Sequence, residues 1–86
     1  MTANMQKYGE MMSHKQLLEE FDRLIDECPQ DTDVFMSESR NQRNTTAYTV
    51  DVDAPQGKLA VCINEPLWVA CYRLADYNDS LKTETT

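Results

Sequence analysis

Apolar positions along this chain recur with two different periods, and the switch between them marks out its elements. From Ser13 to Cys28 (SHKQLLEEFDRLIDEC), Leu17, Leu18, Phe21, Leu24, Ile25 and Cys28 form one stripe at helical spacing. Ser13 followed by Gln16 predicts a capping box, where hydroxyl and amide satisfy orphan backbone donors reciprocally. Met12 and Leu17 occupy the two positions of the accompanying hydrophobic staple. Pro29 stops the helix at or just before Cys28, because its ring disfavours the α conformation of the preceding residue.

Thr46 to Asp53 (TAYTVDVD) alternates strictly, with Tyr48, Val50 and Val52 pointing one way and Thr49, Asp51 and Asp53 the other. Ala54-Pro55-Gln56-Gly57 is turn chemistry. Leu59 to Asn64 follows as a second strand, with Leu59, Val61 and Ile63 on the expected core face. Upstream, residues 29–33 (PQDTD) predict a turn. Val34-Phe35-Met36 predicts a short strand running into a long, exposed hairpin loop over Ser37 to Asn44.

Residues 65–82 read two ways at their start. As a helix, Asn64 caps and Pro66 lies in the first turn, where its missing N–H costs nothing. Leu67, Ala70, Cys71, Leu74, Tyr77, Asn78 and Leu81 then make one stripe, widened by Trp68 and Ala75. As a strand, Trp68, Ala70, Tyr72 and Leu74 alternate equally well. The stripe persists to Leu81, which favours the helix. Residues 1–12 show no clean period and read as a loose leader with some helical character. Met12 offers an alternative start that would make residues 1–11 dispensable. Residues 83–86 read as a frayed tail.

This order predicts one α+β domain over residues 13–82. It would be a small two-layer sandwich in α-β-β-β-α order, an N-terminal helix, an antiparallel meander of two or three strands and a C-terminal helix. Both helices would cover one sheet face, leaving Thr49, Asp51, Asp53 and Ala60 on the solvated face. A chain of 86 residues has room for one core. It buries only about 60% of its unfolded surface, so a thin stability margin is expected, with oligomerisation one remedy.

Charge narrows the partners. Fifteen acidic against eight basic residues give a net charge of −7 and a pI near 4.4. Such a field repels nucleic-acid phosphates and anionic lipid, and steers toward basic surfaces. The three cysteines, Cys28, Cys62 and Cys71, match no zinc spacing and sit among apolar residues, as reduced thiols do. Met1 to Met12 is too polar for a signal peptide, and the run Leu67 to Tyr72 is far below the roughly 20 residues that span a bilayer. A cytoplasmic location without a membrane partner is therefore expected, and the triplets Asn44-Thr45-Thr46 and Asn78-Asp79-Ser80 read as chance glycosylation signals.

Catalytic chemistry finds little to work with. His14 is the single histidine and lies in the first helical turn, exposed, so no activated nucleophile pair is expected. Asp51 with Asp53 share a solvated face, and Asp31-Thr32-Asp33 lacks the continuation and glycine of a calcium loop. Gly9 and Gly57 are the only glycines, too few to cradle phosphates. The expectation is no enzyme, no cofactor and no metal.

Surfaces carry the remaining signals. Glu19, Glu20, Asp22, Asp26, Glu27, Asp31 and Asp33 place seven carboxylates within fifteen positions, a face suited to a basic protein partner. By size and charge the chain is similar to accessory proteins of phages and mobile elements, among them inhibitors, adaptors and DNA mimics. Arg40 and Arg43 form the one local cationic spot, the basis of an alternative reading as a nucleic-acid-binding regulator. The helix–strands–helix order resembles the double-stranded-RNA-binding domain in topology. Residues 65–72 carry no Lys or Arg, however, where that family's last helix begins lysine-rich. Nucleic acid is thus the lesser expectation. Trp68, Tyr72 and Tyr77 supply either a homodimer face or packing within the monomer.

Overall fold

The computed structural model describes residues 3–10, 12–40, 42–55 and 57–84. The elements follow in the order α1 (Ala3–Glu10), α2 (His14–Asp26), β1 (Asp33–Arg40), β2 (Thr46–Ala54), β3 (Gly57–Glu65) and α3 (Leu67–Glu84). The strands form an antiparallel meander, β1-β2-β3, with β2 in the centre. The α+β class and the α-β-β-β-α order expected from the sequence are the ones observed, with α1 preceding them.

Helix α2 starts as its cap dictates. The Gln16 N–H donates to Ser13 Oγ at 3.2 Å, and the Ser13 N–H donates back to Gln16 Oε1 at 2.9 Å. Leu17, Phe21 and Leu24 are buried, while Leu18, at the margin of the stripe, stays exposed. The helix closes at Glu27, whose N–H donates to the Arg23 carbonyl at 3.1 Å, while the Cys28 N–H donates to the Ile25 carbonyl at 3.1 Å, before Pro29.

Helix α3 is the hub. It rests on β2 and β3, and both α1 and α2 pack against it. Being covered from several sides, it buries Leu67, Val69, Ala70, Cys71, Leu74, Ala75 and Asn78, which is more than one stripe. The helical reading of residues 67–74 therefore prevails over the strand. The first helical bonds run from the Val69 and Ala70 N–H groups to the Pro66 carbonyl at 3.0 and 3.1 Å. Pro66, not Asn64, thus stands at the cap. Asn64 instead takes a left-handed φ of 52° at the end of β3, where its N–H donates to Thr49 Oγ1 at 3.2 Å. Among the described residues no helix is long and apolar enough to cross a membrane.

The strands depart from the expected pattern in two places. The polar run Ser37 to Arg40 is not loop but the second half of β1, paired residue by residue with Thr49 to Thr46. It lies on an edge strand, and Ser37 to Arg40 are all exposed, so no burial demands apolar residues there. In β3, Ala60 faces Asp51 but Cys62 faces Val50, so Val61 is an extra residue; a second irregularity lies between Val50 and Tyr48. Each bulge shifts the alternation. Cys62 takes the core position beside Val50, and Ile63, expected inside, is 62% exposed. Leu59 stays on the core side opposite Val52 but lies largely open.

Residues 1–12, expected to be a loose leader, contain an integral helix over their described part. Tyr8 of α1 is 2% exposed and belongs to the core cluster with Phe21, Leu24, Val50 and Leu74. Polar residues between its contacts hide the period of this short helix. Asn4 Nδ2 further ties α1 to α3 by donating to Asp76 Oδ1 at 2.8 Å and Asp79 Oδ2 at 2.9 Å.

Candidate acidic interface

The seven carboxylates singled out in the sequence separate into two groups. On α2, residues advance by about 100° each, so Glu19, Asp22 and Asp26 fall within an arc of roughly 60°. All three are exposed. They span seven residues, about 10 Å along the axis. Asp31 and Asp33, in the following turn and at the start of β1, are also exposed. Asp31 adopts a left-handed φ of 68°, which Asp tolerates better than most residues.

Glu20 and Glu27 belong to the neighbouring arc and are held within the molecule. Arg23 lies between them, donating to Glu20 Oε2 and Glu27 Oε1 at 2.8 Å each. Lys7 of α1 approaches Glu20 at 3.9 Å, and the Tyr8 hydroxyl donates to Glu20 Oε2 at 3.0 Å. The Arg23 hydrogen bonds hold the Glu20 carboxyl below the usual carboxylate range, against some opposing desolvation. Burial, helped by the adjacent carboxylate, pushes the Tyr8 phenol up to about 12. This cluster fastens α1 to α2. Its two carboxylates are already partnered, whereas among the described residues no ion pair reaches Glu19, Asp22 or Asp26.

Next to the free arc comes apolar surface. Leu18 lies about 40° from Asp22 on the helix circumference and is 39% exposed; Ile25, beyond it, is half-buried against the core. The strip is thus acidic with an apolar flank.

Arg40 and Arg43 are kept far from it. An extended strand rises about 3.3 Å per residue, so Arg40 ends β1 roughly 23 Å from Asp33. Arg40 donates to Asn44 Oδ1 at 3.0 Å, across the tip of the β1–β2 hairpin, where Asn44 has a left-handed φ of 59°. The strand therefore separates the positive tip from the negative strip instead of letting them cancel.

Trp68 and Tyr72 lie on the side of α3 that α1 approaches, and Tyr77, nine residues beyond Trp68, falls about 180° round the helix. Trp68 stacks on Tyr72 at 5.7 Å between centroids. Gly9 sits against Trp68 so closely that an added Cβ would be 3.3 Å from its ring. Tyr72 and Tyr77, with Met5, Leu59 and Val61, line an open groove of about 580 Å³ between α1, α3 and β3. Much of the aromatic surplus is thereby absorbed within the chain. Sequence reasoning missed this because the partner surface came from the segment read as a leader. A glycine beside Tyr8 in an otherwise helix-compatible stretch was the one available hint.

Among the described residues, no three His, Cys, Asp or Glu side chains gather closely enough to hold a metal ion. Cys71 is fully buried, and desolvation raises its thiol to about 12, far from a nucleophile's range. The chain matches no known protein family, no curated protein and no solved structure.

Proposed function

We propose that this protein is a binding module, not an enzyme, that presents the strip of Glu19, Asp22, Asp26, Asp31 and Asp33 to a basic surface on another protein, acting as an inhibitor or adaptor. The observation that carries the reading is the division of labour on α2. Arg23 engages Glu20 and Glu27, while the adjoining arc keeps exposed carboxylates beside an exposed leucine. Negative charge next to apolar surface gives a partner both electrostatic steering and something to desolvate. The net charge of −7 extends the same field and speeds encounter with cationic surfaces.

The test is the triple reversal Glu19→Lys, Asp22→Lys and Asp26→Lys, which touches no buried residue. Affinity capture with wild-type protein should retain a basic protein that elutes as salt is raised and that the triple variant no longer retains. If both proteins capture the same partners with the same salt dependence, the strip is merely solvating charge.

A further inference from the structure

We infer that β1 is a self-association edge, along which a second copy of this chain adds in antiparallel register to make a six-stranded sheet. The two edges of the meander are built differently. On β3, two irregularities, the left-handed Asn64 and Lys58 break the row of backbone groups, as edges protected against pairing commonly do. On β1, eight residues pair with β2 in unbroken register, with no proline, lysine or bulge. Among the described residues no backbone group of another element bonds to its outer side. Its large side chains are also bare: Phe35 is 56% and Met36 39% exposed, on opposite sheet faces.

The occupant follows from the strand's own sequence. A two-fold axis through Met36 places Met36 against Met36 of the second copy, Phe35 against Ser37, Val34 against Glu38 and Asp33 against Ser39. The two Phe35 rings become diagonal neighbours, within reach of each other at about 7–8 Å. Charges run from Asp33 at one end of β1 to Arg40 at the other. In this register Asp33 comes opposite Ser39, Glu38 opposite Val34 and Arg40 opposite Thr32, so no like charges come opposite or diagonal. Helices α1, α2 and α3 make their main contacts with one another, β2 and β3, so both copies keep them unchanged. This edge is separate from the acidic strip and does not rest on its role.

Sedimentation equilibrium from micromolar to millimolar protein should show a concentration-dependent rise from the 9.9 kDa chain mass toward twice that value. Added salt should tighten the dimer, because two chains of charge −7 repel, whereas contact of the strip with a basic partner should loosen. Met36→Lys sets two ammonium groups face to face and should weaken association at least tenfold. Circular dichroism checks that this exposed-site variant stays folded. Met36→Cys, oxidised, should give a covalent dimer through a directly opposed pair, and Ile63→Cys on the guarded edge should not. A monomer at every concentration overturns the proposal. So does a Met36→Lys variant that dimerises like wild type, or equal cross-linking through Ile63→Cys.

Discussion

Replacing Tyr8 with alanine should nearly unfold the protein, although the residue lies in the least patterned part of the chain. The ring is 2% exposed and packed in the core cluster. A buried tyrosine removes on the order of 150–250 Å² from water, which at about 25 cal/mol per Å² is roughly 4–6 kcal/mol. Alanine keeps part of that contact, so a loss of about 3–5 kcal/mol is expected, as for other buried aromatics. A small domain has a margin near the low end of about 5–15 kcal/mol. Tyr8→Phe keeps the ring and gives up the hydroxyl bond to Glu20 and the longer one from Arg23 at 3.4 Å, while Arg23 still holds Glu20 at 2.8 Å. It should cost roughly 0.5–1.5 kcal/mol. Urea unfolding followed by the fluorescence of Trp68, the single tryptophan, reads both effects, since Trp68 lies against α1 at Gly9. The alanine variant should show red-shifted emission and a midpoint near zero urea. A loss below about 1 kcal/mol with unchanged emission would mean that α1 contributes nothing to the core.

Further outcomes follow from the same packing. Alkaline pH should unfold the chain early: Tyr8 and Cys71 both rise to about 12, from ordinary values of 10.0 and 9.0. A raised value means stability is complete below the ordinary value and is lost as pH climbs toward 12. At about 1.4 kcal/mol per unit, Tyr8 accounts for roughly 3 kcal/mol of that loss, so Tyr8→Phe should flatten the stability–pH curve above pH 10. Gly9→Leu should push α1 off Trp68, because even a Cβ meets the ring at 3.3 Å, and red-shifted emission with a loss of about 1–3 kcal/mol would show it. Asn78 is 3% exposed and donates to the Leu24 carbonyl at 3.0 Å. Asn78→Leu should therefore lower thermal stability by about 1–3 kcal/mol, because it leaves the Leu24 carbonyl only the weak Cys28 thiol at 3.4 Å, and an unshifted melting curve would contradict this.

How legible each part was depends on where its information resides. Helix α2 could be read because cap, stripe and stop agree within sixteen residues, all local effects. The alternation of β2 was equally plain, since as the central strand it has one face under α3 and one toward solvent. β3 misled because bulges are set by pairing with β2, and nothing in Leu59 to Asn64 announces an extra residue. β1 looked too polar for a strand because edge strands need no buried face. α1 was missed because its contacts, Tyr8 to α2 and Asn4 to α3, are visible only once distant segments meet. For the candidate interface, the sequence supplied the seven carboxylates but not their division. Only the proximity of Arg23 and Tyr8 to Glu20 shows which ones the protein uses itself.

The bond network joining Asn4 to Asp76 and Asp79 has a consequence for biosynthesis. The ribosome releases α1 before α3, so the contacts of α1 with α3 form only after α3 has emerged, whereas those of Lys7 and Tyr8 with α2 can form earlier. Until then the apolar side of the meander lacks its main cover, and Gly9 has no Trp68 to rest against. Docking of α3 therefore completes the packing of the other elements. Splitting the chain in the hairpin tip and joining α3 to α1 through a short linker would make that meeting local, and should speed the reaction without altering the final structure.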